Sequence, residues 1–253
     1  MTGLPISGDA IAVILLALAV GSFVKGLTGL GLPLIAIPFL ASFFGVERAV
    51  IIMVIPGIVT NAWLLWAYRK RATAIRSLPT VLVTGAAGAV AGTWILSRVS
   101  GHVLSLVLAF GLGAYLLILF LNPRFSLSPV AVRYVAPVAG FAGGVLEGAT
   151  GIASPVVATY FHALRLDKWA YVFALTAVFQ VFSVIQLVAL YNFGLLTQNR
   201  LLEGLLALVP VVIVLPLSMR LARVISPRVF DAILITLLSV MELKLIYDGL
   251  FGG

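Results

Sequence analysis

Cysteine is absent from all 253 residues, which removes disulfide frameworks, thiolate metal centres and cysteine nucleophiles at once. Histidine is nearly absent too: His102 and His162 are the only two, so a His-rich metal site is excluded and no metal or other cofactor is expected. Charge is the third shortage, since only 9% of residues are Asp, Glu, Lys or Arg. An ordinary soluble domain carries about one quarter. What fills the space is apolar, 62% of the chain, with a mean hydropathy of +1.22. Uncharged stretches run from Ala49 to Tyr68, Ser77 to Ser97, Val99 to Pro123 and Trp169 to Asn199. Each reaches the roughly 20 residues that cross a bilayer as helix. The chain therefore reads as an all-α integral membrane protein. Its N-terminal apolar segment has no Lys or Arg before it, unlike a signal peptide, and residues 10–24 are expected to belong to the mature fold.

The net charge of +8 does not point to nucleic acid, because the basic residues sit in short connections such as Arg69, Lys70, Arg71 and Arg76. Placement of that kind orients a membrane protein. The lipid bilayer is thus one expected partner, and self-association as a homo-oligomer is compatible with such a chain.

A motif occurs twice. Lys25-Gly-Leu-Thr-Gly-Leu-Gly-Leu-Pro33 is answered by Glu147-Gly-Ala-Thr-Gly-Ile-Ala-Ser-Pro155, at a constant offset of 122 residues. Gly26 matches Gly148, Thr28 matches Thr150, Gly29 matches Gly151 and Pro33 matches Pro155, with Gly21/Gly143, Ala36/Ala158 and Phe39/Phe161 extending the register. Internal self-similarity on this scale marks a duplicated unit. The join falls among the loop residues of Asn122 to Arg133, giving a first repeat over 1–123 and a second over 124–253.

Each motif lies inside an apolar stretch too long for one span. Ala10 to Phe44 is 35 residues, about 52 Å as a single helix against a hydrocarbon core of roughly 30 Å. Gly26, Gly29, Gly31 and Pro33 break it, and Gly148 to Pro155 break its counterpart from Tyr134 to Leu164. Each stretch is expected to form two short helices that turn back, as a re-entrant hairpin or as two short crossings, followed by three transmembrane helices. Such a unit crosses the membrane an odd number of times, so the second repeat must be inverted. Charge agrees: this topology puts 11 basic residues on one face and four on the other, whereas single crossings would give eight against seven. By the positive-inside rule the Arg69–Arg71 loop faces the cytoplasm and both termini lie outside.

Broken helices in inverted repeats place a substrate site near the bilayer midplane, where a half-helix start presents unpaired N–H groups and the positive end of its dipole. The ligand suited to that arrangement is a small anion. Thr28 and Thr150 can cap the second half-helices or donate to a ligand oxygen, while Gly26, Gly29, Gly148 and Gly151 let a ligand approach backbone. The competing explanation for these small residues is close helix packing. Lys25 and Glu147 hold one repeat position with opposite charge; Lys25 suits anion attraction, and Glu147 suits pairing with Lys25 or carrying a proton. Asn61, Gln180, Ser183 and Gln186 are polar residues of the second span of each unit, and Asn61 aligns with Ser183 at the same offset. They are candidates for lining one cavity. Trp63, Trp66, Trp94 and Trp169 suit interface anchoring.

These residues resemble the sulfite exporter TauE/SafE family of membrane proteins, over almost the whole chain. The resemblance implies a transporter of the cell inner membrane moving sulfur-containing oxyanions such as sulfite, organosulfonates or related small carboxylated anions. The chain differs from the family's pattern in carrying Glu147 in the second motif and in having fewer consecutive glycines. Two other classes compete with this reading. An intramembrane lipid-diphosphate phosphatase, similar to the undecaprenyl-diphosphate phosphatases, needs clustered acids and a nucleophile or basic clamp, and the breaks offer only Glu147 and Lys25. A non-transporting membrane subunit would want a docking segment, and no soluble domain or long charged tail is evident.

Overall fold

The computed structural model describes residues 8–28, 31–69, 75–121 and 126–221, together with Leu243 and Tyr247. Helices account for nearly all of them: α1 (Gly8–Thr28), α2 (Leu32–Phe44), α3 (Val46–Tyr68), α4 (Leu78–Arg98), α5 (Gly101–Leu121), α6 (Pro129–Thr150), α7 (Ser154–Ala163), α8 (Lys168–Asn192), α9 (Gln198–Leu206) and α10 (Leu208–Leu221). Among the described residues six segments are long and apolar enough to cross a membrane: Gly8–Leu27, Val46–Tyr68, Leu78–Arg98, Val130–Thr150, Ala170–Asn192 and Gln198–Leu221. The protein is a multi-pass membrane protein. Exposed Trp63, Trp66 and Trp94 face outward near span ends, and the Arg69 guanidinium lies over the Trp66 ring. The third span expected of the second unit falls outside the described residues, apart from Leu243 and Tyr247.

Both interrupted stretches turn back, but their arms are unequal. The sequence predicts two short helices in each; instead the first arm is full length, 21 residues in α1 and 22 in α6, and only the second is short, 13 in α2 and 10 in α7. The physical reason is the position of the breakers. No strong breaker interrupts α1 before its C-terminal end, whereas the motif glycines and proline crowd the tip. At the second tip Gly151 adopts φ 73° and ends α6 as a left-handed cap, its N–H bonding to the Glu147 carbonyl; at the first, Gly31 has φ 106°. Pro33 and Pro155 then occupy the second residue of α2 and α7, where a missing N–H costs nothing. The Leu127 N–H donates to the Ala163 carbonyl at 3.0 Å, so the α6–α7 hairpin enters and leaves side by side. In the other hairpin Gly21 packs on Leu32 and Ala36.

The helices pair across the two halves. The longest interface joins α4 to α6, α10 lies along α1, and α3 lies along α8. Glycine makes the α4–α6 contact possible: Gly85, Gly88 and Gly92 face Gly140, Gly144 and Gly148, and a methyl group on Gly88, Gly92, Gly144 or Gly148 would overlap a backbone carbonyl oxygen of the opposite helix. Close approach through small residues replaces the hydrophobic drive that lipid removes. Residue numbers rise together along this contact, from Val81 beside Gly140 to Gly92 beside Ala149, so α4 and α6 run parallel. Two apolar clusters complete the packing. One gathers Ile14, Leu18, Leu40, Val46, Leu96 and Leu190; the other gathers Val81, Ala136, Phe161, Leu175 and Phe182.

Candidate functional site

The two hairpin tips meet. Between them is a narrow cavity of about 20 Å³, lined by Lys25, Gly31 and Pro33 from the first tip, Glu147, Gly151 and Ser154 from the second, Asn61 from α3, and Phe179 and Ser183 from α8. Roughly 10–15 Å³ of such volume admits one water. The cavity therefore holds a water-sized body and is closed to a multi-atom anion in this conformation.

Both charged groups are buried, Lys25 at 3% and Glu147 at 5% exposure. Lys25 Nζ donates to Thr60 Oγ1 at 2.8 Å and to Asn61 Oδ1 at 2.7 Å. The Thr60 hydroxyl itself donates to the Pro56 carbonyl at 2.8 Å, which turns an oxygen lone pair toward the ammonium. Lysine has three donors, so one ammonium N–H has no partner among the described residues. Glu147 accepts at both oxygens: Ser183 Oγ donates to Oε1 at 3.3 Å, and the Ala153 N–H donates to Oε2 at 3.1 Å. An unsatisfied charge at this depth would be severely destabilising, and these bonds offset that cost. The arrangement is repeated. Lys25–Asn61 and Glu147–Ser183 are each 36 residues apart and differ by the 122-residue offset.

Lys25 and Glu147 are not an ion pair within 4 Å; each is held by its own span and faces the shared cavity. Direct pairing in the empty site, one of the roles considered for Glu147, is not what this conformation contains. Thr150 also differs from expectation. Its hydroxyl donates back to the Leu146 carbonyl at 2.7 Å and accepts from the Ile152 N–H at 3.4 Å, so it closes α6 rather than capping α7. The residue before α7 is Ala153, which makes no side-chain cap. Gly26 packs against Ser218 of α10, and Gly148 packs against Ala89, Gly92 and Thr93 of α4; both serve helix approach and neither lines the cavity. Gln180 has its Oε1 buried without a hydrogen-bond partner in the described structure, and it too is off the cavity wall. The Thr28 side chain and Gly29 lie outside what is described.

Three contributors give little signal in the sequence. Thr60 is hidden beside Asn61, Phe179 reads as an ordinary apolar residue, and Ser154 has Leu32 as its repeat counterpart, which carries no polar signal. Gln186 holds the second tip in place, donating to the Glu147 carbonyl at 2.7 Å and the Gly148 carbonyl at 3.3 Å. Glu147 also borders a second, smaller cavity of about 10 Å³ with Ile37, Val50, Met53, Val54 and Gln186, so it stands where two small voids meet.

The site thus offers one ammonium, one carboxylate, an amide, hydroxyls and the N-terminal ends of two short helices converging on one point. Helix starts and a buried ammonium favour an anion. Among the described residues no cluster of three or more His, Asp or Glu side chains is placed to hold a metal ion. No curated protein and no solved structure matches the chain. The sequence profile described as sulfite exporter TauE/SafE matches residues 13–245, a span that includes both hairpin tips, and the chain belongs to that family of membrane transporters.

Proposed function

We propose that the protein exports sulfite or a small organosulfonate, and that the anion binds between the two hairpin tips. The family supplies the coarse activity, transport of a small sulfur-containing anion across a lipid bilayer by a protein that is not an enzyme. The observation that carries the finer reading is the convergence of the Lys25 ammonium with the starts of α2 and α7 in one buried cavity. A trigonal oxyanion accepts from the ammonium donor that has no partner among the described residues, from backbone N–H groups at the half-helix starts, and from the Asn61 amide. Because the cavity is closed to it here, entry requires the tips to separate, which is the transition that alternating access demands. Glu147 then serves as the coupling group. It takes up a proton as the anion leaves and the Ser183 and Ala153 donors loosen.

Inverted repeats support this cycle. The second and third helices of the repeat pattern begin at constant spacing: α2 and α7 start 122 residues apart, and so do α3 and α8. Opposite entry of the hairpins is supported by their packing on α4. Phe161 and Leu164 of the second hairpin share an apolar cluster with Ile75 and Leu78 at the start of α4, while Phe44 and Val46 beyond the first share one with Leu96 and Val99 at its end. We place the 69–77 side in the cytoplasm and the protein in the cell inner membrane. Two of the four basic residues on the opposite face, Arg48 and Arg200, are paired with Glu203 and Glu47.

Purified protein in liposomes is expected to accumulate radiolabelled sulfite and to be competed by an organosulfonate more than by phosphate. Phosphate competing as well as sulfite would overturn the substrate reading. For orientation, single cysteines at Thr2, Ala72 and Gly252 are simple to introduce in a cysteine-free chain. Labelling whole cells with an impermeant maleimide should mark the two ends and spare Ala72; the reverse pattern would sink the assignment.

A further inference from the structure

The short arms of the two hairpins are joined to the chain in different ways. A glycine with positive φ stands at each end of α2, Gly31 at its start with φ 106° and Gly45 at its end with φ 80° and ψ 161°. Neither flank of α7 is built so, since Ala153 and Leu164 both hold right-handed helical backbone. Glycine passes between backbone regions at little cost, and a few such residues at the ends of an element can absorb the rotation of a moving part. Gly45 is also the single residue between α2 and α3, and it is exposed, with nothing within 4 Å of where a Cβ would stand. The short arm of the first hairpin is therefore a 13-residue rod between two pivots.

Its neighbours are pinned. The first turn of α3 is tied to α9 by two reciprocal ion pairs, Arg48 with the buried Glu203 and Arg200 with Glu47, and Gly204 of α9 sits against Ile55. Parting a buried carboxylate from its partner is strongly disfavoured, so α3 and α9 stay together. On the other side α1 is pressed to α10 at Gly26. Between α2 and α3, by contrast, lies the void of about 10 Å³ that Glu147 borders, with Pro33 and Ile37 on one wall and Val50, Met53, Val54 and Gly57 on the other. Ile37 closes it against the second tip, for its Cδ1 stands where a methyl group on Gly151 would go.

We infer that α2 is the gate of the anion cavity: it pivots on Gly31 and Gly45, withdraws Ile37 from Gly151, and widens the void between α2 and α3 into a passage for the anion. The arm α1, the wall α3 and the second hairpin stay in place. This inference rests on transport through the cavity between the tips, but not on which anion is carried.

Tying the two arms of each hairpin together tests it, and the chain has no cysteine of its own to interfere. A Cβ on Gly21 would lie 3.3 Å from that of Ala36, and one on Gly143 would lie 3.9 Å from that of Val157. Disulfides span about 3.5–4.5 Å between these atoms. One variant is Gly21→Cys with Ala36→Cys, and the other is Gly143→Cys with Val157→Cys; each is assayed for radiolabelled sulfite transport in liposomes, oxidised and then reduced. Oxidation should stop transport in the first and reduction should restore it, whereas both forms of the second should transport alike. An oxidised first variant as fast as its reduced form, or an equal loss in both variants, would overturn the proposal. A parent that moves an organosulfonate but not sulfite would sink only the sulfite reading, and the crosslinks are then compared with that anion. Because a side chain at Gly21 also presses the Leu32 carbonyl, a single Ile37→Cys variant gives a second measurement that needs no transport. Ile37 is fully buried while the gate is closed, so this cysteine should react with a water-soluble methanethiosulfonate as α2 swings out. Complete inertness of that cysteine in the folded protein would overturn the proposal as well.

Discussion

The hairpins α1–α2 and α6–α7 share a motif and an offset of 122 residues, yet they are packed and charged very differently. Along α6 the residues that face α4 are Gly140, Gly144 and Gly148, and backbone meets backbone. At the matching places α1 has Leu18, Ser22 and Gly26, and Gly26 is pressed by Ser218 and the Leu215 carbonyl of α10. Ser22 has a buried hydroxyl without a hydrogen-bond partner in the described structure. The second hairpin meets α4 backbone to backbone at three glycines, while the first approaches the backbone of α10 at Gly26, beside the Leu215 carbonyl. One hairpin is seated through three glycines and the other through one, with opposite charges at their tips. That division suits a transporter in which one hairpin moves against the other.

The largest effect that would break this comparison belongs to Gly144. A leucine there must displace the Gly85 carbonyl, and since backbone cannot yield as a side chain does, the loss should exceed the roughly 1–3 kcal/mol typical of overpacking. Failure of Gly144→Leu to yield a monodisperse protein is the expected result. At the matching place in the first hairpin, Ser22→Ala removes a buried hydroxyl that gains little, so its thermal unfolding should shift by less than about 1 kcal/mol in either direction. Equal sensitivity at Gly144 and Ser22 would show that the two seats are alike and would remove the argument for a mobile first hairpin.

Much of the hairpin architecture is legible in the amino-acid sequence. Pro33 and Pro155 mark the second residues of α2 and α7, and the 35-residue stretch from Ala10 to Phe44 is too long to be anything but folded back. Composition and period carry that information because helix breakers act locally. The use of each glycine is not legible in the same way. Gly148 and Gly151 sit three residues apart in one motif, but one faces α4 and the other the cavity, and helix rotation decides which. The partners of Lys25 are half visible. Asn61 stands out through its alignment with Ser183, whereas Thr60 has Phe182 as its counterpart and so leaves no trace in the repeat.

The opposite charges at the two tips are central to the proposed cycle, and their coupling is directly measurable. Sulfite affinity should be determined by calorimetry for the parent, Lys25→Met, Glu147→Gln and the double variant, each first checked for a single unfolding transition. A charge-assisted hydrogen bond contributes about 1.5–3 kcal/mol, so Lys25→Met should weaken binding by roughly 10- to 100-fold. Two buried charges that share one cavity are not independent, and the double variant should lose less than the sum of the single losses. Strict additivity, or sulfite binding in Lys25→Met as tight as in the parent, would contradict the claim that the anion binds between the hairpin tips under the joint control of Lys25 and Glu147.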